Sequence, residues 1–343
     1  MYMYKKHRLI IPLYFCFLLI LSACVTSSNQ PDWVRDPYRI YDRQTYVAAV
    51  GSGIDRQAAE KNALGNLVAF FGQSIQVDDV VYVSYQEVIN SGAAAKWSEN
   101  TFVDSSIITS AGMDFLIGAE IGEVWFDRNR TYYAIAVINK RNANLIYSRM
   151  FTANQVMINN LINMPSEQRL TIEGFSRFNL AAAIADINVS YANILSLLGN
   201  PAYQHGVIKG DEYRLEAQNI SRLIPIEIRV KDDNSGRIQS AFAKVLSDIG
   251  FMIGGNNSRY LLDVNITVAP ENNPNNQFIF ARLLLNANLI DTTDNTNLLP
   301  YSFNIRDGHN TQDGAVNRIF ISAERKITEE YKDLFSSRIL PTR

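Results

Sequence analysis

The first 24 residues constrain this chain more than any other segment. Lys5, Lys6 and Arg8 form a positively charged start, and an apolar stretch of 13 residues follows over 9–21. A membrane-spanning helix needs about 20 apolar residues, so this stretch is too short to cross a bilayer. A positive start, a short apolar core and small residues at the end are typical of a secretory signal. We therefore expect residues 1–23 to be a signal peptide that is removed.

The end of this segment resembles the bacterial lipobox, because Leu21, Ser22 and Ala23 directly precede Cys24. The resemblance implies cleavage between Ala23 and Cys24, a diacylglyceryl group on the Cys24 thiol and an acyl group on the new amino terminus. Two or three acyl chains hold a protein stably on a bilayer. Val25 is not the aspartate that retains such proteins in the inner membrane of enteric-type bacteria, so the resemblance favours the outer membrane. The alternatives are a signal anchor or an ordinary signal with an incidental cysteine.

The remaining composition excludes several kinds of chemistry. Of three histidines and two cysteines, His7 and Cys16 leave with the signal and Cys24 is lipidated, which leaves only His205 and His309. Such a chain can hardly build a Cys/His zinc site or a Cys–His nucleophile, so we predict no metal and no cofactor.

The charge balance also excludes a class of partner. Removing Lys5, Lys6 and Arg8 from the 32 basic residues leaves 29 against 34 acidic ones, a net charge of −5. With no basic run or basic–aromatic stripe, we predict no nucleic-acid partner.

The apolar pattern after the linker indicates an α+β domain. Residues 46–50 read as a strand, Gly51-Ser52-Gly53 as a tight turn, and a helix follows, with Ser52 and Asp55 at its start. Gly-x-Gly before a helix also invites a dinucleotide interpretation, which we reject because Arg56 replaces the third glycine. Residues 75–85 alternate as a half-buried strand, and 118–126 with 131–139 indicate a hairpin.

These pieces, in this order, resemble a known family. They are Pro31-Asp32-Trp33, Tyr46–Gly53, Ala58–Ala63, Trp125-Phe126-Asp127 and Tyr132-Tyr133-Ala134. The pattern is similar to the "LPP twenty" family of bacterial surface lipoproteins and to the N-terminal domain of flagellar assembly protein T, over roughly 31–145. The resemblance implies a compact, secreted, membrane-associated α+β domain without known enzymatic activity. Trp33 and Trp125 then pack in the core or at its edge, or form part of a partner-binding patch.

The rest of the chain changes pattern twice. Residues 141–163 and 166–198 read as two helices separated by Met164-Pro165. They form either a helical hairpin that links two α/β units, or an arm for oligomerisation. From Pro225 onwards the order β-α-β-β-β-α predicts a mostly antiparallel sheet with two helices on one face. The predicted segments are a signal peptide 1–23, a lipidated linker 24–34, an α+β domain 35–145, a helical hairpin 146–222 and a small α/β domain 223–343.

Carboxylate pairs are the remaining enzymatic option. Asp78 and Asp79 are neighbours on a strand and point to opposite faces, whereas Asp232 and Asp233 suit a helix start. Residues 291–295 carry closely spaced oxygen atoms that could bind calcium. They lack the glycine and the distal glutamate of an EF-hand loop, so we do not predict a calcium site. We therefore find no catalytic residues.

The sequence as a whole predicts a non-catalytic, lipid-anchored outer-membrane protein that faces the periplasm or the cell surface. It is held on the membrane by Cys24 and binds an envelope protein or itself. The alternatives are a subunit of a flagellar or secretion-associated ring and a carboxylate-based hydrolase of envelope glycan.

Overall fold

The computed structural model describes residues 30–71, 116–127, 130–271 and 278–339. The chain divides into two compact units, Met1–Phe70 with Ala119–Asn139, and Phe71–Gly118 with Lys140–Arg343. The signal peptide, Cys24, the predicted strand over 75–85 and Asp78-Asp79 lie outside the described residues. Both sheets and their helices confirm the predicted α+β class.

The first unit contains a three-stranded antiparallel sheet and a helix. Its strands are β1 (Tyr46–Gly53), β2 (Ala119–Phe126) and β3 (Tyr132–Asn139), in the order β1-β3-β2, so β2 and β3 form the predicted hairpin. Helix α1 (Arg56–Phe71) follows β1. Ala59, Ala63 and Leu67 are buried along α1, at the helical spacing that the sequence shows.

The connection from β1 to α1 differs from the prediction. Gly51, Ser52 and Gly53 continue the strand, and Asp55 alone caps the helix, since its Oδ1 accepts a hydrogen bond from Ala58 N at 2.7 Å. A Cβ on Gly51 would overlap the backbone of Ala63, and one on Gly53 would overlap that of Ala59. The two glycines therefore allow the helix backbone to lie directly on the strand.

The second unit begins with helices α2 (Lys140–Ile162), α3 (Ser166–Arg169), α4 (Ile172–Leu197) and α5 (Gly210–Ser221). The helix predicted over 166–198 is in fact two helices, because Thr171 is extended and its Oγ1 accepts a hydrogen bond from Gly174 N. Helix α5 was not predicted. By length and composition α4 could cross a membrane, but most of its apolar stretch is buried inside this unit, as in a core helix.

A five-stranded sheet completes the second unit. Its strands are β4 (Pro225–Lys231), β5 (Met252–Ile253), β6 (Tyr260–Glu271), β7 (Ile279–Asp291) and β8 (Thr296–His309), in the order β5-β4-β6-β7-β8. Strand β4 is parallel to β5 and β6, and β6, β7 and β8 are antiparallel. The short strand β5 was not predicted.

Two helices, α6 (Arg237–Ile249) and α7 (Gln312–Ile339), pack against this sheet. One hydrophobic cluster joins the inward side chains of the sheet, α6 and α7 with those of α4 and α5, including Ile184 and Tyr213. The helices of the predicted 146–222 segment thus share a core with the sheet, and most outward residues in the middle of β6, β7 and β8 are exposed.

Candidate functional site

The loop considered for a cation is held by the protein's own donors. Both carboxylate oxygens of Asp291 accept hydrogen bonds from Arg259, and Oδ1 also accepts the Thr293 hydroxyl at 2.7 Å. Asp294 Oδ1 accepts Thr296 N, and Asn295 has a positive φ of 58°. This arrangement closes the turn between β7 and β8, so the two carboxylates stabilise a hairpin rather than form an open cage.

Of the acidic pair before α6, Asp233 caps the helix, whereas Asp232 lies in the preceding turn with a positive φ of 66°. Asp233 Oδ2 accepts a hydrogen bond from Gln239 N at 3.0 Å, and Asp233 Oδ1 accepts one from Ser235 Oγ. A carboxylate in this place satisfies an unpaired amide of the first turn and interacts well with the helix dipole. The role is structural.

The two remaining histidines lie in connecting segments. His205 follows a 3-10 helix over Pro201–Gln204, and His309 ends β8, where its Nδ1 accepts a hydrogen bond from Thr311 N at 3.3 Å. Within the residues that the structure describes, no group of three or more His, Cys, Asp or Glu side chains could hold a metal ion.

The aromatic residues of the first unit pack against its sheet. Trp33 is 2% exposed and contacts a cluster that includes Ala48, Ile135 and Val137. Trp125 is half-buried beside Tyr133, with the ring centroids 5.6 Å apart. Trp33 is therefore a core residue and Trp125 packs at the edge of that core, as one of the two sequence interpretations holds.

The outer face of the second sheet is a polar surface without an assigned role. Because side chains alternate along a strand, every second residue of β6, β7 and β8 points away from the core. In the middle of these strands the outward residues are mostly amides and hydroxyls. We call this set the amide face: Asn265, Thr267, Leu284, Asn286, Asn288, Ser302 and Asn304.

The strand register places these side chains in rows. Asn286 lies between Asn265 on β6 and Ser302 on β8. In the next row, Leu284 lies between Thr267 and Asn304.

The amide face has a third row. Asn288 lies between Asp263 and Pro300. All members of the amide face are exposed except Asn288, which is half-buried and accepts a hydrogen bond from Asn297.

Charged residues border the amide face on several sides, including Lys231 of β4 in register with Asn265 and Asp263 in register with Asn288. Glu271 forms ion pairs with Arg282 at 3.1 Å and Arg306 at 3.3 Å. The Arg306 guanidinium also lies over the Phe280 ring, 3.9 Å from its centroid. These contacts hold the three side chains together at this end of the face.

Sequence reasoning did not find this surface. The alternation of Asp263, Asn265 and Thr267 on β6 is visible in the sequence and predicts a solvent-facing edge of polar residues. Only the pairing of β6 with β7 and β8 brings the amides of three strands together, and that register is a long-range property.

The described fold is that of an α+β protein with two separate sheets. Residues 31–139 match the model of the LPP20 lipoprotein family, which confirms the resemblance predicted over about 31–145. The match covers about a third of the 343-residue chain. It supports a lipoprotein of the bacterial envelope.

Solved structures similar to this chain come from bacteria. The secreted protein HP1454 of Helicobacter pylori is 15% identical, with a TM-score of 0.40, and the similarity covers 83% of this chain and 98% of that one. A minor lipoprotein of Acinetobacter baumannii is 13% identical, with a TM-score of 0.25, over 34% of this chain and 91% of that one. No curated protein matches the sequence.

Proposed function

We propose that this protein is a non-catalytic lipoprotein, anchored in the outer membrane through acyl groups on Cys24, that binds another component of the envelope. The observation that carries the proposal is the short apolar signal that ends at Leu21-Ser22-Ala23-Cys24. The family match over residues 31–139 supports it. Acyl chains on a cysteine at this position would provide stable attachment to the bilayer.

The length of the linker supports a role close to the membrane. Six residues lie between Cys24 and Pro31, which makes seven steps along the chain, and an extended chain spans at most about 3.5 Å per step. The first unit would therefore lie within about 25 Å of the bilayer surface. A polar, exposed sheet face in the second unit supports binding rather than catalysis, since the carboxylates of Asp233 and Asp291 already stabilise the fold.

The test compares two cysteine variants in cells that are fed a clickable fatty-acid analogue. Cys24→Ala should abolish labelling and move the protein out of the membrane fraction. Cys16→Ala is the matched control, because it removes the other cysteine while keeping an apolar residue in the signal, and should leave both unchanged. Equal labelling and equal membrane attachment in the two variants would contradict the proposal.

A further inference from the structure

We propose that one end of the first unit inserts into the surface of the bilayer that carries the lipid anchor. We call this end the apolar tip: Ile54 after β1, Phe126 at the end of β2 and Tyr132 at the start of β3. Its partner is the lipid bilayer itself. This inference rests on the proposed function, since a lipid group on Cys24 would bring the tip to the bilayer.

The strand register brings the members of the apolar tip together. Gly53, the residue before Ile54, pairs with Tyr132, and Tyr132 pairs with Phe126 on its other side. The centroids of the Phe126 and Tyr132 rings lie 4.5 Å apart, so Tyr132 holds the Phe126 ring in place. Ile54 and Phe126 therefore flank Tyr132 at one end of the sheet.

The apolar side chains of the tip are open to solvent. Ile54 is 88% exposed, more than any other large apolar side chain in the described part of the chain, and Phe126 is 48% exposed. A single exposed apolar residue needs no explanation. An aliphatic and an aromatic side chain exposed together at one end of a small sheet form a patch that favours an apolar partner.

A second row of the sheet, directly behind the tip, is also aromatic. Tyr133 pairs with Ser52 on one side and with Trp125 on the other, and both aromatic side chains are half-buried. Tyr and Trp are enriched where a protein meets the boundary between lipid and water, because their rings are apolar and carry one polar group. The order of the two rows fits a shallow insertion into that boundary.

The charges that flank the tip balance one another. Residues 53–60 and 126–132 contain three acidic and three basic side chains, which are Asp55, Glu60, Asp127, Arg56, Arg128 and Arg130. Asp55 caps α1, and Arg56 pairs with Glu60 at 2.7 Å. Insertion then depends on the apolar contacts and not on anionic lipids, while long arginine side chains keep their charged ends at the membrane surface.

The linker allows the anchor and the tip to reach the same bilayer. Trp33, close to the start of the first unit, packs against Ala48 of β1. From Ala48 to Gly53 the strand advances by five residues, or about 17 Å. The chain from Cys24 to Pro31 can span about 25 Å, so it is long enough to place both the lipid and the tip in one membrane.

The apolar tip is the end of the first unit with the short connections. The β1–α1 turn and the β2–β3 hairpin both lie there. The start of β1 at Tyr46 and the start of β2 at Ala119 lie beside the end of β3, at the other end of the sheet. A bilayer at the tip therefore leaves the continuation of the chain after Asn139 on the side away from the lipid.

A lipid anchor makes a small apolar contact sufficient. Because the anchor would keep the unit within about 25 Å of the bilayer, insertion of the tip is an intramolecular step at a high effective concentration of lipid. Two exposed apolar side chains can then populate the inserted state, although they would bind a vesicle only weakly without the anchor.

The test asks whether residue 54 contacts lipid in the full-length lipidated protein, reconstituted into vesicles of phosphatidylcholine and phosphatidylethanolamine. Ile54→Cys introduces a thiol for the fluorophore nitrobenzoxadiazole. Lipids with a nitroxide at carbon 5 of the acyl chain quench a fluorophore at that depth. We expect quenching by about half or more, since interfacial segments insert about 5–10 Å into the boundary of headgroups and acyl chains.

Two controls define the background of this measurement. The unmodified protein should take up no fluorophore, because Cys16 is removed with the signal and Cys24 carries lipid. Ala69→Cys places the fluorophore at an exposed position of α1, about 20 Å along the helix from Arg56. This position should not be quenched.

A second substitution tests whether the two apolar side chains insert together. Phe126→Asn in the Ile54→Cys protein should reduce the quenching by about twofold or more, because membrane binding scales with the apolar area buried. Ile40→Asn is the matched control, since Ile40 is 47% exposed but precedes β1 and is not part of the tip. It should leave the quenching unchanged, and circular dichroism shows whether each variant is folded.

Three results would overturn the inference. They are no quenching at residue 54, quenching at residue 69 that equals or exceeds it, and quenching at residue 54 that Phe126→Asn does not change. A blue shift of the fluorescence without quenching by lipid would also overturn it, because the tip would then contact a protein, such as a second copy of the chain.

Flotation of the vesicles reports on the anchor separately. A protein that floats with the vesicles but shows no quenching at residue 54 refutes this inference and leaves the anchor intact. A protein that does not float, or an unmodified protein that takes up fluorophore at Cys24, contradicts the proposed anchor, and the inference falls with it.

Discussion

Arg259 binds the carboxylate of Asp291 through two nitrogens, with Nη2 at 2.7 Å and Nε at 3.0 Å from Oδ2. The pair ties the residue before β6 to the end of β7. Burial by itself would raise the pKa of Asp291, but the hydrogen bonds from Arg259 and Thr293 outweigh it, so the pKa of this carboxyl is lowered. The contact therefore stabilises the ionised form in the folded protein.

Arg259→Met should destabilise the second unit by about 2 kcal/mol at pH 7, because it leaves the Asp291 side chain, 10% exposed, without its charged partner. Lys244→Met breaks the exposed pair with Asp248 and should cost less than about 0.5 kcal/mol. Urea unfolding followed by circular dichroism measures both.

The same pair predicts a pH dependence. A lowered pKa in the folded state contributes stability above the unfolded pKa of about 4, and this stability is lost as the pH falls through the folded pKa. The difference between Arg259→Met and the unmodified protein should shrink as the pH falls below about 4. A difference that is the same at pH 7 and pH 3 would contradict this account.

Replacing glycine with alanine should have opposite effects on stability at Gly51 and at Gly65. Gly51→Ala places a methyl group on the α1 backbone at Asn62 and Ala63 and should destabilise the first unit by about 2 kcal/mol. Gly65→Ala, at an exposed position in α1 with nothing within 4 Å of the new methyl group, should stabilise it by about 1 kcal/mol. Hydrogen exchange of the β1 and α1 amides reports both; slower exchange in Gly51→Ala would be the wrong sign.

Tyr331→Phe should stabilise the second unit by about 1 kcal/mol at pH 7. The Tyr331 hydroxyl is buried without a hydrogen-bond partner among the described residues, and its ring lies 5.0 Å from Phe242. In the matched variant Tyr147→Phe, the amide of Ile117 loses the hydroxyl that it donates to at 3.0 Å, so stability should fall. Thermal unfolding of the two variants should move in opposite directions.

Alkaline pH adds a second readout for these tyrosines. Burial, with a smaller effect of Tyr301, raises the pKa of Tyr331, and burial raises that of Tyr147 to about 12. Because the unfolded state ionises first, stability falls as the pH rises above about 10. Tyr331→Phe removes its share of this loss, so its advantage over the unmodified protein should grow between pH 9 and pH 11.

Much of the fold could be predicted because its patterns are local. The alternation in the β2–β3 hairpin, β4 and β6 and the apolar stripe of α6 are visible within short windows of sequence. The break between α3 and α4 was missed because Thr171 forms it without glycine or proline. Helix α5 was missed because Pro201, Gly206 and Gly210 obscure its start.

The candidate site could not be predicted because it depends on strand register. Asn265, Asn286 and Asn304 are far apart in the sequence and become neighbours only when β6, β7 and β8 pair. The lipidation of Cys24, in contrast, is a prediction from four consecutive residues, because the lipobox is a local signal.

The shared core predicts which fragment folds. Side chains of α4 and α5 pack into the same hydrophobic cluster as the sheet, and Ile172 N donates a hydrogen bond to the Tyr260 hydroxyl at 3.2 Å. A fragment over 140–343 should therefore unfold cooperatively, whereas 223–343 alone should lack a stable fold, since it loses part of its core. Far-ultraviolet circular dichroism of the two fragments decides this, and a cooperative transition in 223–343 would show that the helices are dispensable.

The N-terminal peptide of the membrane-extracted protein tests the central claim most directly. Mass spectrometry of this peptide should find a chain that begins at Cys24, with a blocked amino terminus and the added mass of a diacylglyceryl and an acyl group. A peptide that begins at another residue, or a Cys24 without lipid, would contradict the account.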